Sequence, residues 1–216
     1  MKIDVRRARD HMVEVQIAGR GIRDRRVLEA MRTVPREIFV DEGLEEFAYE
    51  DNPLPIAERQ TISQPYIVAL MTEAAEIDEN DRVFEVGAGS GYAAAVAAQI
   101  AKQVCAIERH GSLVAQARER FRKLDYRNIE LKQGDGTQGW PDGGPFDAIL
   151  VAAGGWQVPS ALKEQLKIGG RLVIPLDDAD EGQELVKLIR RSESDFEEEH
   201  LGAVRFVPLV GPSRLD

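Results

Sequence analysis

From Asp81 onward the chain alternates short apolar runs with helical segments, and the first junction is crowded with glycine: "RVFEV" passes through Gly87, Gly89 and Gly91 into "YAAAVAAQIA". The alternation continues as "QVCAIE", "SLVAQARERFRKL", "IELK", "FDAILVA", a helical "PSALKEQLK" and "GRLVIPL". Short apolar strands separated by helices make βαβ units, because parallel neighbours need a crossover and the crossover helices cover the sheet on both faces. An α/β fold of the Rossmann-like kind is expected, with a mostly parallel sheet. The last two runs, "ELVKLIRRS" and "AVRFVPLV", have no helix between them and are expected to pair antiparallel at one edge. The acidic "DDADEG" (177–182) reads as a solvated loop.

The part before Asp81 has a different texture. Val5, Ala8, Met12 and Val15 recur at helical steps, which predicts one buried helix face ending at Gly19 or Gly21. Asp24 is placed to cap a second helix that turns Val27, Leu28 and Met31 inward and stops before Pro35. "REIFVDEGLEEFAYEDNPLPI" is irregular, and Phe39, Phe47 and Tyr49 are expected to tie it down. Pro65 then opens a helix carrying Tyr66, Ile67, Leu70, Met71 and Ala74. Residues 1–60 are read as an N-terminal helical addition and 61–216 as the core of one compact unit.

Charge and cysteine usage narrow the partners. The net charge is −10, so the basic footprint that drives binding to nucleic acid or an anionic membrane is missing, and neither partner is expected. One cysteine, Cys105, makes neither a disulfide framework nor a zinc cage, and no metal is expected. The charged N-terminus and the short, alanine-rich apolar runs predict a soluble, cytoplasmic protein, read as a monomer.

The glycine turn comes after a strand and opens a helix, where backbone can approach a ligand closely. A dinucleotide fingerprint needs glycine at its sixth position, and counting from Gly87 that position is Tyr92. Glu85, two residues before the first glycine, would repel a pyrophosphate but suits a cation. S-adenosylmethionine carries a sulfonium and an ammonium and no phosphate, and is the expected cofactor. Glu108, ending the next strand, can accept both hydroxyls of a ribose, and Asp135 of "GDG" (134–136) can accept from an adenine amino group. All three lie at the carboxyl ends of successive strands, where open α/β sheets bind ligands.

The stretches "VPREIFV", "YEDNPLPI", "QTISQPYIVALM", "VFEVGAGSGY", "GDGTQGW", "PFDAILV", "GGRLVIP" and "VRFVPLV" together resemble the protein-L-isoaspartate O-methyltransferase family, over about residues 12–211. "PLPI" followed by "QTISQP" is the most specific of these. The resemblance implies the seven-stranded class I methyltransferase fold and the repair of damaged proteins. A methyl group passes from S-adenosylmethionine to the free α-carboxylate of an L-isoaspartyl residue, and the ester collapses to a succinimide. It also implies that Ser63 is the active-site residue. By the same resemblance Thr61, Ile62, Ser63, Glu85, Gly87, Ala88, Gly89, Ser90, Gly91, Glu108, Asp135 and Gly136 line the cofactor pocket. Arg59, Gln60, Val151, Ala152 and Ala153 face the substrate.

Two segments depart from the family pattern. "PIGxGQTIS" is "PIAERQTIS" here, so Ala57 and Arg59 stand where glycines are usual, and strain is expected if those positions need positive φ. After "FDAILV" the chain reads "AAGGWQVP", where Ala152 lacks a hydroxyl and Gly154-Gly155 are expected to loosen the loop. Ser63, two residues before Pro65, also fits an N-cap, and Trp140 and Trp156 are read as loop packing. A methyltransferase for another carboxylate or a small molecule, a non-catalytic cofactor-binding paralogue, and a nicotinamide-dependent oxidoreductase all remain as alternatives at this point.

Overall fold

The computed structural model describes residues 4–141, 143–179 and 182–211. Asp4 caps α1 (Val5–His11), its carboxylate accepting from the Arg7 N–H. The helix continues as a π segment, Met12–Ile17, and ends in a 3-10 turn at Gly21, where φ is 112°. A π turn holds more residues than an α turn and so rotates the side chains beyond it about the helix axis. Met12 is buried as expected and Val13 and Ile17 join it, while Val5 and Val15 of the expected face are exposed.

Asp24 caps α2 (Arg25–Thr33) as expected, accepting from the Arg26 N–H at 2.8 Å. In the irregular stretch after Pro35, Phe39 and Tyr49 are buried but Phe47 is exposed, so two rings tie it down and not three. Tyr49 donates to Glu37 and accepts from Arg9, which joins this stretch to α1. Arg36 is fully buried, donating from Nε to the Ala48 carbonyl and lying over the Tyr92 ring. That burial lowers its pKa to about 10.

The next element has no counterpart in the pattern of the sequence. β1 (Leu54–Ile56) and β2 (Gln60–Ile62) form an antiparallel hairpin around a tight turn at Ala57–Arg59. The boundary expected at residue 60 falls inside this paired hairpin. Pro65 opens α3 (Pro65–Ala74).

The sheet comprises β3 (Arg82–Val86), β4 (Gln103–Glu108), β5 (Ile129–Gln133), β6 (Phe146–Val151), β7 (Leu166–Asp178), β8 (Gly182–Arg190) and β9 (Phe196–Val204). Its order is β5-β4-β3-β6-β7-β8-β9, parallel from β5 to β7 and antiparallel thereafter. Helices α4 (Tyr92–Ala98), α5 (Gly111–Lys123) and α6 (Ser160–Gln165) make the crossovers. Alternate residues along each strand enter opposite cores. Val83, Val104, Ala106 and Leu150 meet the N-terminal helices, while Phe84, Cys105, Ile107 and Ile149 meet Trp140 and Leu162.

The edge differs from expectation. The last strand is "FEEEHLGAV", an acidic run on an exposed edge where charges suit the solvent, and "RFVPLV" leaves the sheet. Of "DDADEG", Asp177 and Asp178 end β7 and Gly182 opens β8, paired Asp178 to Gly182, while Asp180 and Glu181 lie outside the described residues. No helix among the described residues is long and apolar enough to cross a membrane.

Candidate active site

The carboxyl ends of β3, β4 and β6 open onto a cavity of ≈ 740 Å³. Its wall includes Gln60, Thr61, Ile62, Ser63, Glu85, Gly87, Ala88, Gly89, Ser90, Glu108, Asp135, Gly136, Ala152 and Ala153, so most of the residues expected at the two sites meet in one space. Three do not reach the wall. Val151 is the last residue of β6, fully buried in the sheet core, and is no loop residue. Gly91 lies behind the turn, where a methyl group would come within 2.7 Å of Phe121 Cζ. Arg59 is exposed on the outside of the hairpin turn.

The glycine turn is held by its own N–H groups. Gly87 and Ala88 both donate to the Ile107 carbonyl, at 2.9 and 3.1 Å, and Gly89 donates to Glu108 Oε2 at 2.9 Å. These three amides are occupied within the protein and offer no cradle for a pyrophosphate. The turn needs positive φ at Gly87, Gly89 and Gly91, of 85°, 53° and 90°. Glu108 also accepts from the His110 N–H at 2.9 Å, which fixes its carboxylate at the end of β4. Asp135 caps a 3-10 turn (Gly136–Gln138), with Oδ1 accepting from both the N–H and the hydroxyl of Thr137. Its Oδ2 accepts no hydrogen bond among the described residues.

Glu85 is the anomaly. It points to the same face as Val83, is almost wholly buried, and its Oε2 has no partner among the described residues. Burial, and then the nearby Glu108 carboxylate, push its pKa up to about 8. An acceptor left bare in a buried wall is expensive unless something completes it.

Ser63 is not a cap. Gln64 holds the N-cap position of α3 with no side-chain bond, because the proline at N1 already removes one donor, and the Ser63 hydroxyl makes no hydrogen bond among the described residues. Gly154 and Gly155 do not loosen their loop. Gly154 donates to Val207 O and accepts from the Leu209 N–H, while Gly155 donates to Pro175 O and accepts from the Asp177 N–H. A methyl group on Gly154 would lie 2.1 Å from Gln183 Nε2, which explains glycine there. Trp140 packs edge-on against Phe84 as expected, but Trp156 is 61% exposed.

Two parts of the cavity wall were not foreseen. Ala203–Val210 lines it, pinned by the Gly154 bonds, although the run reads as a strand by composition; Pro208 was the signal against that. His110 lines it too, and its place two residues after the strand-ending Glu108 was the clue.

Known proteins resemble this chain in sequence and fold. A family profile, protein-L-isoaspartate(D-aspartate) O-methyltransferase, matches residues 7–214. A protein-L-isoaspartate O-methyltransferase of Rhodopseudomonas palustris is 57% identical over 200 residues, 93% of this chain and 92% of that one. One from Syntrophobacter fumaroxidans is 54% identical over 209 residues, 97% of each chain. Among solved structures, a protein-L-isoaspartate O-methyltransferase superposes with a TM-score of 0.85 at 28% identity, covering 94% of this chain and 66% of that one. A Plasmodium falciparum chain described as a beta-aspartate methyltransferase, in complex with S-adenosyl-L-homocysteine, gives 0.81 at 26% identity, covering 94% and 98%. The chain belongs to the protein-L-isoaspartate(D-aspartate) O-methyltransferase family.

Proposed function

We infer that the chain transfers a methyl group from S-adenosylmethionine to the free α-carboxylate of L-isoaspartyl residues in damaged proteins, and so starts their repair through a succinimide. One observation carries the reading: a single cavity joins a bare, buried carboxylate, Glu85, to an unbonded hydroxyl, Ser63. The first suits a cationic cofactor and the second an anionic acceptor.

The donor set fits S-adenosylmethionine. Glu85 Oε2 suits its ammonium, Glu108 its ribose hydroxyls, and Asp135 Oδ2 its adenine amino group, while the occupied amides of the glycine turn disfavour a nicotinamide dinucleotide. When bound, the cofactor supplies an electrophilic methyl on a sulfonium. An acceptor carboxylate with a pKa near ~3.5 is already ionised at neutral pH, so no side chain has to remove a proton. Ser63 donates one hydrogen bond that aims the carboxylate, and the hairpin and Ala203–Val210 exclude water around it. Ala152 and Ala153 complete the substrate side, with Gln60 at its rim.

The same reading makes the protein a cytoplasmic monomer acting on proteins, with neither nucleic acid nor membrane as partner; the acidic balance of −10 supports this. It assigns 1–60 to an N-terminal addition over a core of 61–216.

Ser63→Ala is expected to lower kcat by about 10- to 100-fold, the worth of one aiming hydrogen bond in a dry site. Stability should change by less than about 0.5 kcal/mol, because the hydroxyl holds nothing in the fold. Steady-state rates and thermal melts separate the two. The overall function is tested by following an isoaspartyl peptide with S-adenosylmethionine by chromatography. Succinimide and then aspartyl peptide should accumulate. Methylated small molecules from an extract, with an unchanged peptide, would favour the alternative acceptor.

A further inference from the structure

Glu58 and Arg59, at the tip of the β1–β2 hairpin, adopt φ of 58° and 56°, a region that L side chains other than glycine avoid. With the Gln60 N–H bonded back to the Ala57 carbonyl they form the mirror-image turn that hairpins favour, built here from Glu and Arg where glycine or asparagine is usual. The Glu58 side chain adds a contact outside the turn. Its Oε1 accepts from Ser112 Oγ at 2.5 Å, and its Oε2 lies 3.8 Å from His110 Nδ1. His110 is the N-cap residue of α5 and Ser112 lies in its first turn, and His110 also lines the cavity.

The hairpin supplies Gln60–Ser63 to one wall, and the end of β4 supplies Glu108–His110 to the other. Ile56, at the foot of the turn, lies on the glycine turn: a methyl group at Gly89 would sit 3.5 Å from its Cδ1. The turn thus joins the strand that carries Gln60–Ser63 to the helix start that carries His110, attached at its foot by packing and at its tip by one carboxylate. We propose that Glu58 is a positioning residue that straps the hairpin across the cofactor cavity, so that breaking its contact with Ser112 and His110 gates release of S-adenosylhomocysteine. This rests on the cofactor assignment above and not on the identity of the methyl acceptor. It also gives the non-glycine turn a purpose, since the middle residue of "AER" reaches α5 from its strained conformation.

The test uses the full-length protein and S-adenosylhomocysteine, displaced in stopped flow, with hydrogen exchange on the free protein. Glu58→Ala and Ser112→Ala should each speed dissociation by about fivefold to tenfold, as for a partly exposed hydrogen bond to a charged group. The double variant should be no faster than either single one, because both remove the same contact. Glu58→Gln keeps an acceptor and should restore most of the wild-type rate. Amides of residues 57–63 should lose protection in both single variants while those of β3 and β4 keep theirs, which separates a loosened strap from a damaged fold. Dissociation within twofold of wild type in Ser112→Ala, or effects that multiply in the double variant, would overturn the strap. A wild-type protein that binds no S-adenosylhomocysteine would overturn the cofactor reading, and the strap with it.

Discussion

Glu85→Gln should weaken S-adenosylhomocysteine binding by about 100-fold, since removing one partner of a buried, charge-assisted hydrogen bond costs roughly 2–5 kcal/mol. The same change should improve the stability of the free protein at alkaline pH. The Glu85 pKa is pushed up to about 8 from an ordinary carboxyl value of 4.5, so the folded state holds a proton that the unfolded chain has already lost. Below pH 4.5 the group is neutral in both states and costs nothing. Between 4.5 and 8 the unfolded chain gains from ionisation while the fold does not, and stability falls by on the order of a few kcal/mol, levelling off above pH 8. Glutamine removes that slope. A cationic ligand needs the carboxylate ionised, so binding at pH 7 should release close to one proton, visible as a buffer-dependent heat in calorimetry. An affinity within threefold of wild type, with no proton release, would show that Glu85 does not meet the cofactor.

Gly136→Ala should destabilise the fold by about 3 kcal/mol and lower Tm by about 6–12 °C. The reason is a close approach and not a turn conformation. A methyl group at Gly136 would come within 2.3 Å of Val86 Cγ1 and 2.9 Å of Ile107 Cγ2. Both side chains are β-branched and buried in central strands, so neither can swing away. The clash joins fold to site, because Gly136 comes directly after Asp135 and pushing it outward moves the carboxylate. Gly19→Ala is the matched control: its nearest contact would be Glu14 O at 3.5 Å, and its Tm should stay put or rise slightly. Equal melting shifts for the two variants would contradict the packing argument.

Different physics made some parts of the molecule readable and hid others. β3, β4 and β6 were legible because both faces are covered, which leaves continuous apolar runs such as "FDAILV" in the sequence. β9 was hidden because an exposed edge strand is free to be acidic, and its composition then resembles a loop. The π segment hid the true inward face of the first helix, since Val13 and Ile17 fall in phase only after the extra residue per turn. The hairpin of β1 and β2 was invisible because three-residue strands carry no periodicity, its turn lacks the usual glycine or asparagine, and its tip contact lies 54 residues away.

The site divides the same way. Glu85, Glu108 and Asp135 were legible because strand ends in a parallel sheet converge, so three separated carboxylates could be placed together from topology alone. The pairing of the backbone amides was not legible: the turn's N–H groups are occupied by Ile107 and Glu108 and do not await a phosphate. Ala203–Val210 and His110 reach the wall through tertiary bonds to Gly154 and Glu108, which no local pattern announces. Of the positions 57 and 59 expected to need positive φ only 59 does, joined by 58, because the two central residues of the turn are adjacent.

The central claim is tested most directly with two peptides identical except for one aspartyl linkage, normal or iso, incubated with methyl-labelled S-adenosylmethionine. Base-labile label should enter the isoaspartyl peptide in a Ser63-dependent manner and stay at background in the aspartyl control. Equal labelling of the two peptides, or none in either from a protein that binds the cofactor, would contradict it.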